Sequence, residues 1–370
     1  MGHGTGKNVI ICLDGTGNQF KEENTNVVKL FRVLERNPQE QIAYYDAGVG
    51  TLADPSYKTP VTKKINKTLG LAFGHGLIRN IEQAYSYLME HYEENDRIIL
   101  FGFSRGAYTA RALAGFIHSC GLLEQGCQNL IPYAMKLYKT KKVDFKILQK
   151  FKSTYGRTCN IHFLGLWDSV STFGWIYDPV FLPYTTNNKS VQTIRHAIAI
   201  DERRAFYRQL HWGSDYREQQ DVKEVWFAGV HSDIGGGYPE NESGLAKITL
   251  KWMIEEACSK GIDLKINDKK YNRYVLGADR DGKYIGPDDT AEAHDSLRGP
   301  WWAVQYLPQR VWLPLEKRKA IRFPQQQRPI ELGAILHNSV LIRLKTRKYN
   351  PDNLPSTDES EIRKQFIIEE

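Results

Sequence analysis

The stretch LFGFSRGAYTARALAGFI, residues 100–117, sets a serine between two glycines, as Gly102-Phe103-Ser104-Arg105-Gly106. A G-x-S-x-G turn between a strand and a helix is a geometry in which a serine hydroxyl serves as a nucleophile. The glycines let strand and helix pass where a Cβ would collide, and the helix N-terminus can stabilise an oxyanion. The competing assignment for Ser104 is the N-cap of an ordinary helix. Nucleophilic attack also needs a histidine to take the proton and a carboxylate to orient that histidine. Of the ten histidines, His231 meets three criteria. It follows an apolar run, it precedes the glycines at 235, 236 and 237, and it lies after Ser104 in the order serine, acid, histidine. His294, in EAHDSL, is the backup base. His75, in FGHGL, precedes Ser104 and is a pocket candidate, while His118 and His162 read as core or surface residues. Asp168 closes the apolar run NIHFLGLWD, where an acidic side chain is costly to bury without a partner. Asp201 and Asp233 are the alternatives. Asp233 stands two residues from His231 and is expected to shape the turn and line the pocket. For the oxyanion, the Arg105 N–H is one expected donor. The other comes from the loop DGTGN, residues 14–18, through Gly15 and Thr16, with Asp14 beside the pocket.

These residues need elements to hold them. Short apolar runs at 9–14, 41–46, 97–103, 160–168 and 224–231 predict strands. Amphipathic patterns at 24–37, 76–92, after Ser104 and at 242–261 predict helices. Alternating strand and helix predicts an α/β fold: a mainly parallel sheet with helices on both faces, and its chemistry at the strand C-termini. From Ile262 onward the alternation fails. Residues 1–261 are therefore expected to form the core, and residues 262–370 an extension packed on it within the same domain.

The chain has 370 residues, 41% of them hydrophobic and 25% charged, enough for a large core. A net charge of +7 with no arginine-rich run or zinc-finger spacing argues against nucleic acid as a partner. Five scattered cysteines without a C-x-x-C predict reduced thiols. No run of about 18 apolar residues spans a membrane, and the start lacks the basic-then-apolar layout of a secretion signal. The expected location is cytoplasmic, which leaves delivery by a secretion system open. No metal or cofactor is required by the chemistry.

ICLDGTGN, NTNVVKLFR, YYDAGVGT, FGFSRGAYTARALAGFI, FLGLWDSVST, IRHAIAIDERRAFY, WFAGVHSDIGGGYPE, SGLAKITLKWM and HDSLRGPWW resemble the DUF2235 family of α/β-hydrolases. That family includes the Tle1-type phospholipase effectors of bacterial type VI secretion. The resemblance runs from Val9 to about Pro355. It implies an α/β-hydrolase-like fold, a lipid or phospholipid ester substrate, Ser104 as nucleophile, Asp168 as acid and His231 as base. In DERRAFY, Asp201, Arg203 and Arg204 are expected to form structural ion pairs. Two other functions stand against this one. CLDGTGN is similar to the start of haloacid-dehalogenase-type phosphatases, a metal-dependent chemistry that needs an aspartate where Cys12 stands. The other is a hydrolase fold kept as a non-catalytic binding module. Finally, residues 299–319 carry Trp301, Trp302, Tyr306 and Trp312 with Arg310, Lys317, Arg318 and Lys319. Aromatic and basic side chains together suit either packing onto the core or weak contact with an anionic membrane surface.

Overall fold

The computed structural model describes residues 6–15, 24–48, 71–140, 145–170, 174–175, 178–179, 182–204, 207–215, 217–259, 261–297, 309–313, 318–322, 327–346 and 349–370. At 71–75, 145, 174–175, 178–179, 217, 309–313, 318–322 and 346 the description is of backbone alone. Strands β1 (Asn8–Leu13), β2 (Gln41–Asp46), β3 (Arg97–Phe103), β4 (Ile161–Trp167), β5 (Val191–Ala199), β6 (Asp221–Phe227), β7 (Ile335–His337) and β8 (Ile367–Glu369) build one sheet. Its order is β8-β7-β6-β5-β4-β3-β1-β2 and every neighbouring pair is parallel. Helices α1 (Asn26–Val33), α2 (Leu71–His91), α3 (Arg105–Cys120), α4 (Ile131–Lys139), α5 (Phe145–Tyr155), α6 (His231–Gly235), α7 (Gly244–Cys258), α8 (Asp268–Tyr274), α9 (Asn338–Thr346) and α10 (Glu359–Gln365) surround it.

Side chains alternate between the two faces, as the pleat requires. Val9, Ile11 and Leu13 of β1 join Ile98 and Leu100 of β3 and Leu164 and Leu166 of β4 on the face covered by α2, α3, α4 and α5. Ile10, Cys12, Ile99, Phe101, Phe163 and Trp167 point the other way, onto α1 and α7. A parallel sheet buried on both faces is what a run such as RIILFGF, apolar at nearly every position, encodes. α1 starts at Thr25, whose hydroxyl accepts the Val28 N–H at 3.3 Å. α3 ends at Gly121, which takes the left-handed φ of 74°.

The sequence order reverses between β1 and β3, so the crevice at their C-terminal ends is the topological switch point. Because all strands run the same way, the residues that follow β1, β3, β4 and β6 meet at one edge of the sheet.

Three expectations need correcting. The alternation does not stop at Ile262: β7 and β8 extend the same parallel sheet, and Leu336, Val340, Leu341, Ile362 and Phe366 pack under Ile198 and Trp226. The apolar runs predict no strand at 191–199, yet β5 lies inside the sheet there, with Arg195 and His196 buried in it. β6 ends at Phe227, so His231 is not a strand terminus; it opens the short helix α6. Within and just past the 299–319 segment, the backbones of Gln309–Leu313 and Arg318–Arg322 pair antiparallel; Trp301, Trp302, Tyr306 and Lys317, and the side chains of Arg310, Trp312, Arg318 and Lys319, lie outside the described residues. All five cysteines are free thiols. Among the described residues, no helix is long and apolar enough to cross a membrane.

Candidate active site

Ser104 follows β3 directly and holds φ 59° and ψ −120°. This is a strained conformation for a residue with a Cβ. Its hydroxyl makes no capping bond to α3, so the N-cap role is not what the side chain performs. The backbone anchors it instead: Ser104 N–H donates to Trp167 O at 3.0 Å, tying the turn to the end of β4. Both flanking glycines are needed by contact. A Cβ on Gly102 would lie 2.5 Å from Gly106 O, and one on Gly106 would lie 2.2 Å from Leu13 O and 2.6 Å from Asp14 O. The loop after β1 is thus pressed against the serine turn.

Asp168 is the first residue beyond β4. It too has a left-handed backbone, φ 38°, and is fully buried. Its Oδ2 accepts from His231 Nδ1 at 2.5 Å, and its Oδ1 accepts the Ala199 N–H at 3.0 Å. His231 is 4% exposed. The rings of Phe103 and Tyr207 flank its imidazole, each with centroids 4.7 Å from it. Phe103 is the residue before Ser104, so the histidine stands beside the serine turn. The His231 backbone N–H donates to Glu202 Oε2 at 3.1 Å, which fixes the start of α6. Burial alone would raise the Asp168 carboxyl; the Arg328 charge and the His231 hydrogen bond outweigh it and hold the group well below the usual carboxylate range. Burial lowers His231 below the ordinary histidine value, against the upward pull of Asp168. The pair is therefore an ionised aspartate and, near neutral pH, an uncharged imidazole able to accept a proton.

The other expected residues divide. Asp14 is buried and braces its loop: Oδ2 accepts from Thr25 Oγ1 at 2.6 Å and Tyr45 OH at 3.0 Å, and Oδ1 accepts the Gly15 N–H at 2.6 Å. The Gly15 amide is thus already engaged. Thr16 lies outside the described residues, as does the side chain of His75. Arg105 opens α3 next to Ser104, and its carbonyl accepts from Thr109 Oγ1 at 2.9 Å. Asp233 shapes the turn: Oδ2 accepts the Val230 N–H at 3.0 Å. It also holds His294, whose Nδ1 meets Asp233 Oδ1 at 2.7 Å and whose Nε2 meets Glu242 Oε2 at 3.0 Å. Two carboxylates raise the His294 pKa, Asp233 foremost, and both ring nitrogens are occupied. Both of its ring nitrogens thus face carboxylates, whereas the base the chemistry asks for must present one nitrogen to the serine hydroxyl. Arg203 pairs with Asp295 at 2.9 Å and Arg204 with Glu202 at 2.9 Å. Among the described residues Asp201 forms no ion pair; it accepts from Tyr349 OH at 3.0 and 2.8 Å and from the Gly229 N–H at 2.6 Å. Cys12, at the position a phosphatase nucleophile would need, is fully buried in β1.

Two site residues have no advance signal in the sequence. Glu202 sits in DERRAFY between residues read only as ion pairs. Arg328, in QQQRPIE, belongs to no motif, yet it forks onto Asp168 with Nη1–Oδ1 at 2.5 Å and Nη2–Oδ2 at 3.0 Å. Only a buried carboxylate lacking enough partners could have pointed to it.

Among known proteins, the chain is 36% identical over 223 residues to the uncharacterized protein YEL023C of Saccharomyces cerevisiae, covering 56% of this chain and 33% of that protein. It thus spans about a third of that relative's length. A crystal structure of an uncharacterized Pseudomonas aeruginosa protein aligns with a TM-score of 0.43 and 18% identity, over 77% of this chain and 49% of that one. The structure of the Tle1 effector bound to the VgrG spike of the type 6 secretion system aligns with a TM-score of 0.39 and 21% identity, over 65% and 53%. Residues 7–256 match the family described as T6SS, phospholipase effector Tle1-like, catalytic domain, and the chain belongs to that family.

Proposed function

We propose that the protein is a serine hydrolase that cleaves carboxylic esters of lipids, phospholipids above all. One observation carries the reading: the buried Asp168–His231 hydrogen bond of 2.5 Å, beside a serine held in a strained turn with no capping role. Ser104 Oγ attacks the ester carbonyl while His231 Nε2 takes its proton. The tetrahedral intermediate collapses, the alcohol leaves with that proton, and water repeats the sequence to free the acid and restore Ser104. Asp168 keeps Nδ1 of His231 protonated and stabilises the imidazolium that forms. The Arg105 N–H is one oxyanion donor. The second belongs to the loop of Asp14, Gly15 and Thr16; because the Gly15 amide already donates to Asp14, Thr16 is the donor to test. Family membership supports the lipid substrate, and the aromatic and basic residues of 299–319 would add weak contact with an anionic lipid surface.

The test is a fluorophosphonate probe together with a panel of phospholipids and soluble esters. Wild-type protein labels at Ser104, and Ser104→Ala neither labels nor turns over, a loss of roughly 10⁴-fold or more. Full turnover by folded Ser104→Ala would defeat the serine mechanism. A protein that neither labels nor hydrolyses anything on the panel would favour a non-catalytic binding module.

A further inference from the structure

The Asp168 carboxylate has no unused acceptor position. Oδ1 takes the Ala199 N–H at 3.0 Å and Arg328 Nη1 at 2.5 Å; Oδ2 takes His231 Nδ1 at 2.5 Å and Arg328 Nη2 at 3.0 Å. Arg328 is itself buried, its side chain 5% exposed. Its remaining reach goes to Ala199 O at 3.2 Å and to Tyr207 O, and Tyr207 is one of the two rings that flank His231. Proton relay to a serine asks only that a carboxylate face the imidazole. Here a guanidinium shares that carboxylate in a two-pronged geometry that a lysine cannot reproduce.

We propose that Arg328 is a positioning residue of the reaction: its fork locks the Asp168 carboxylate plane so that Oδ2 faces His231 Nδ1. The proposal rests on the Ser104–His231–Asp168 reading above. It makes the chain beyond residue 261 part of the catalytic apparatus, although the family match ends at residue 256. The fork has two effects. It removes rotation of the carboxylate about its Cβ–Cγ bond, and its positive charge offsets part of the negative charge that His231 feels. The other groups around His231 are Glu202 at its backbone N–H, Arg204 paired to Glu202, Asp233 on the same short helix, and the rings of Phe103 and Tyr207. Glu202 and Arg204 offset one another, so Arg328 is the cation whose loss leaves the imidazole facing an uncompensated carboxylate.

The experiment measures kcat and KM from pH 4.5 to 9 on a soluble p-nitrophenyl ester for wild type, Arg328→Met, Arg328→Lys and Arg328→Ala, with thermal melting beside each. Arg328→Met is expected to lower kcat by roughly 10- to 100-fold with KM little changed. Its acid-limb midpoint should move up by about one pH unit, because an unshielded Asp168 favours the imidazolium. Arg328→Lys keeps the charge and loses the fork, so its midpoint stays near wild type while kcat still falls several-fold. Added guanidinium ion should restore part of the rate of Arg328→Ala. A folded Arg328→Met with wild-type kcat and midpoint overturns the proposal. So does a loss confined to KM or to the folded fraction, with the midpoint unmoved. If the Met and Ala variants do not fold, Arg328→Lys decides, and a wild-type kcat there overturns it. Turnover by Ser104→Ala would instead bring down the serine reading and the clamp together. A dead Ser104→Ala beside an unchanged Arg328→Met brings down the clamp alone.

Discussion

His231 and His294 are two histidines on carboxylates, and their surroundings push them in opposite directions. Burial lowers His231, while Asp233 and Glu242 raise His294. A base must be uncharged to accept a proton. Activity is therefore expected to fall with decreasing pH through a midpoint below about 6.5, the ordinary histidine value. Under the proposed mechanism His231→Ala should cost nearly as much as Ser104→Ala, since base and nucleophile would act as a unit, whereas His294→Gln should keep kcat within a few-fold. His294 contributes instead to stability. Its folded pKa is raised, so the contribution is complete below the unfolded value near 6.5 and is lost as pH rises through the folded value. Melting of wild type against His294→Gln across pH 5 to 9 reads this, and a dead His294→Gln would exchange the roles of the two histidines. The sequence offers Ser104, Asp168 and His231 as candidates because each stands at the end of a run that reads as β-structure, and the structure brings Asp168 and His231 within hydrogen-bond distance. Arg328 was not legible in the sequence, because its partner Asp168 is 160 residues away and nothing local marks it.

At the scale of elements, the serine turn depends on three pieces of backbone meeting without side chains between them. Gly106→Ala would set a Cβ 2.2 Å from Leu13 O, against backbone that cannot rotate away. The end of β1 and the start of α3 would have to part, carrying Ser104 and the Arg105 N–H out of register. We expect kcat/KM to fall by about 10²-fold or more, the scale on which a misplacement of 1 Å acts. Binding of a short-chain substrate should suffer less, and wild-type kcat/KM in Gly106→Ala would refute this packing argument. Elements were legible where their interior faces are apolar and obscure where they are polar. β5 reads VQTIRHAIA, yet Arg195 and His196 are fully buried within it. Arg195 is met by Asp221 at 2.8 Å and by Glu256, and His196 by Glu224 at 3.1 Å. Partners supplied by β6 and α7 make this strand possible, and they cannot be seen from the strand's own residues. β7 and β8 span three residues each, too few for any period to show.

At the scale of the molecule, the sheet is assembled from both ends of the chain, and the segment that carries Arg328 is fastened by β7, α9 and α10. Leu336 of β7 is fully buried with Ile198, Trp226 and Phe366. Leu336→Ala should destabilise the protein by about 2–5 kcal/mol, as cavities in packed cores do. Denaturant unfolding measures it, and a change below about 1 kcal/mol would mean that this corner packs loosely. The same arrangement has a consequence in time. A ribosome adding roughly 5–20 residues per second needs about 5–20 s to travel from His231 to Arg328. Through that interval serine, aspartate and histidine have all been synthesised, while the arginine that seats the aspartate does not yet exist. Under the proposed mechanism the full hydrolytic rate thus arrives late in the making of each molecule, and a nascent chain stalled in that window would turn over more slowly than the finished protein.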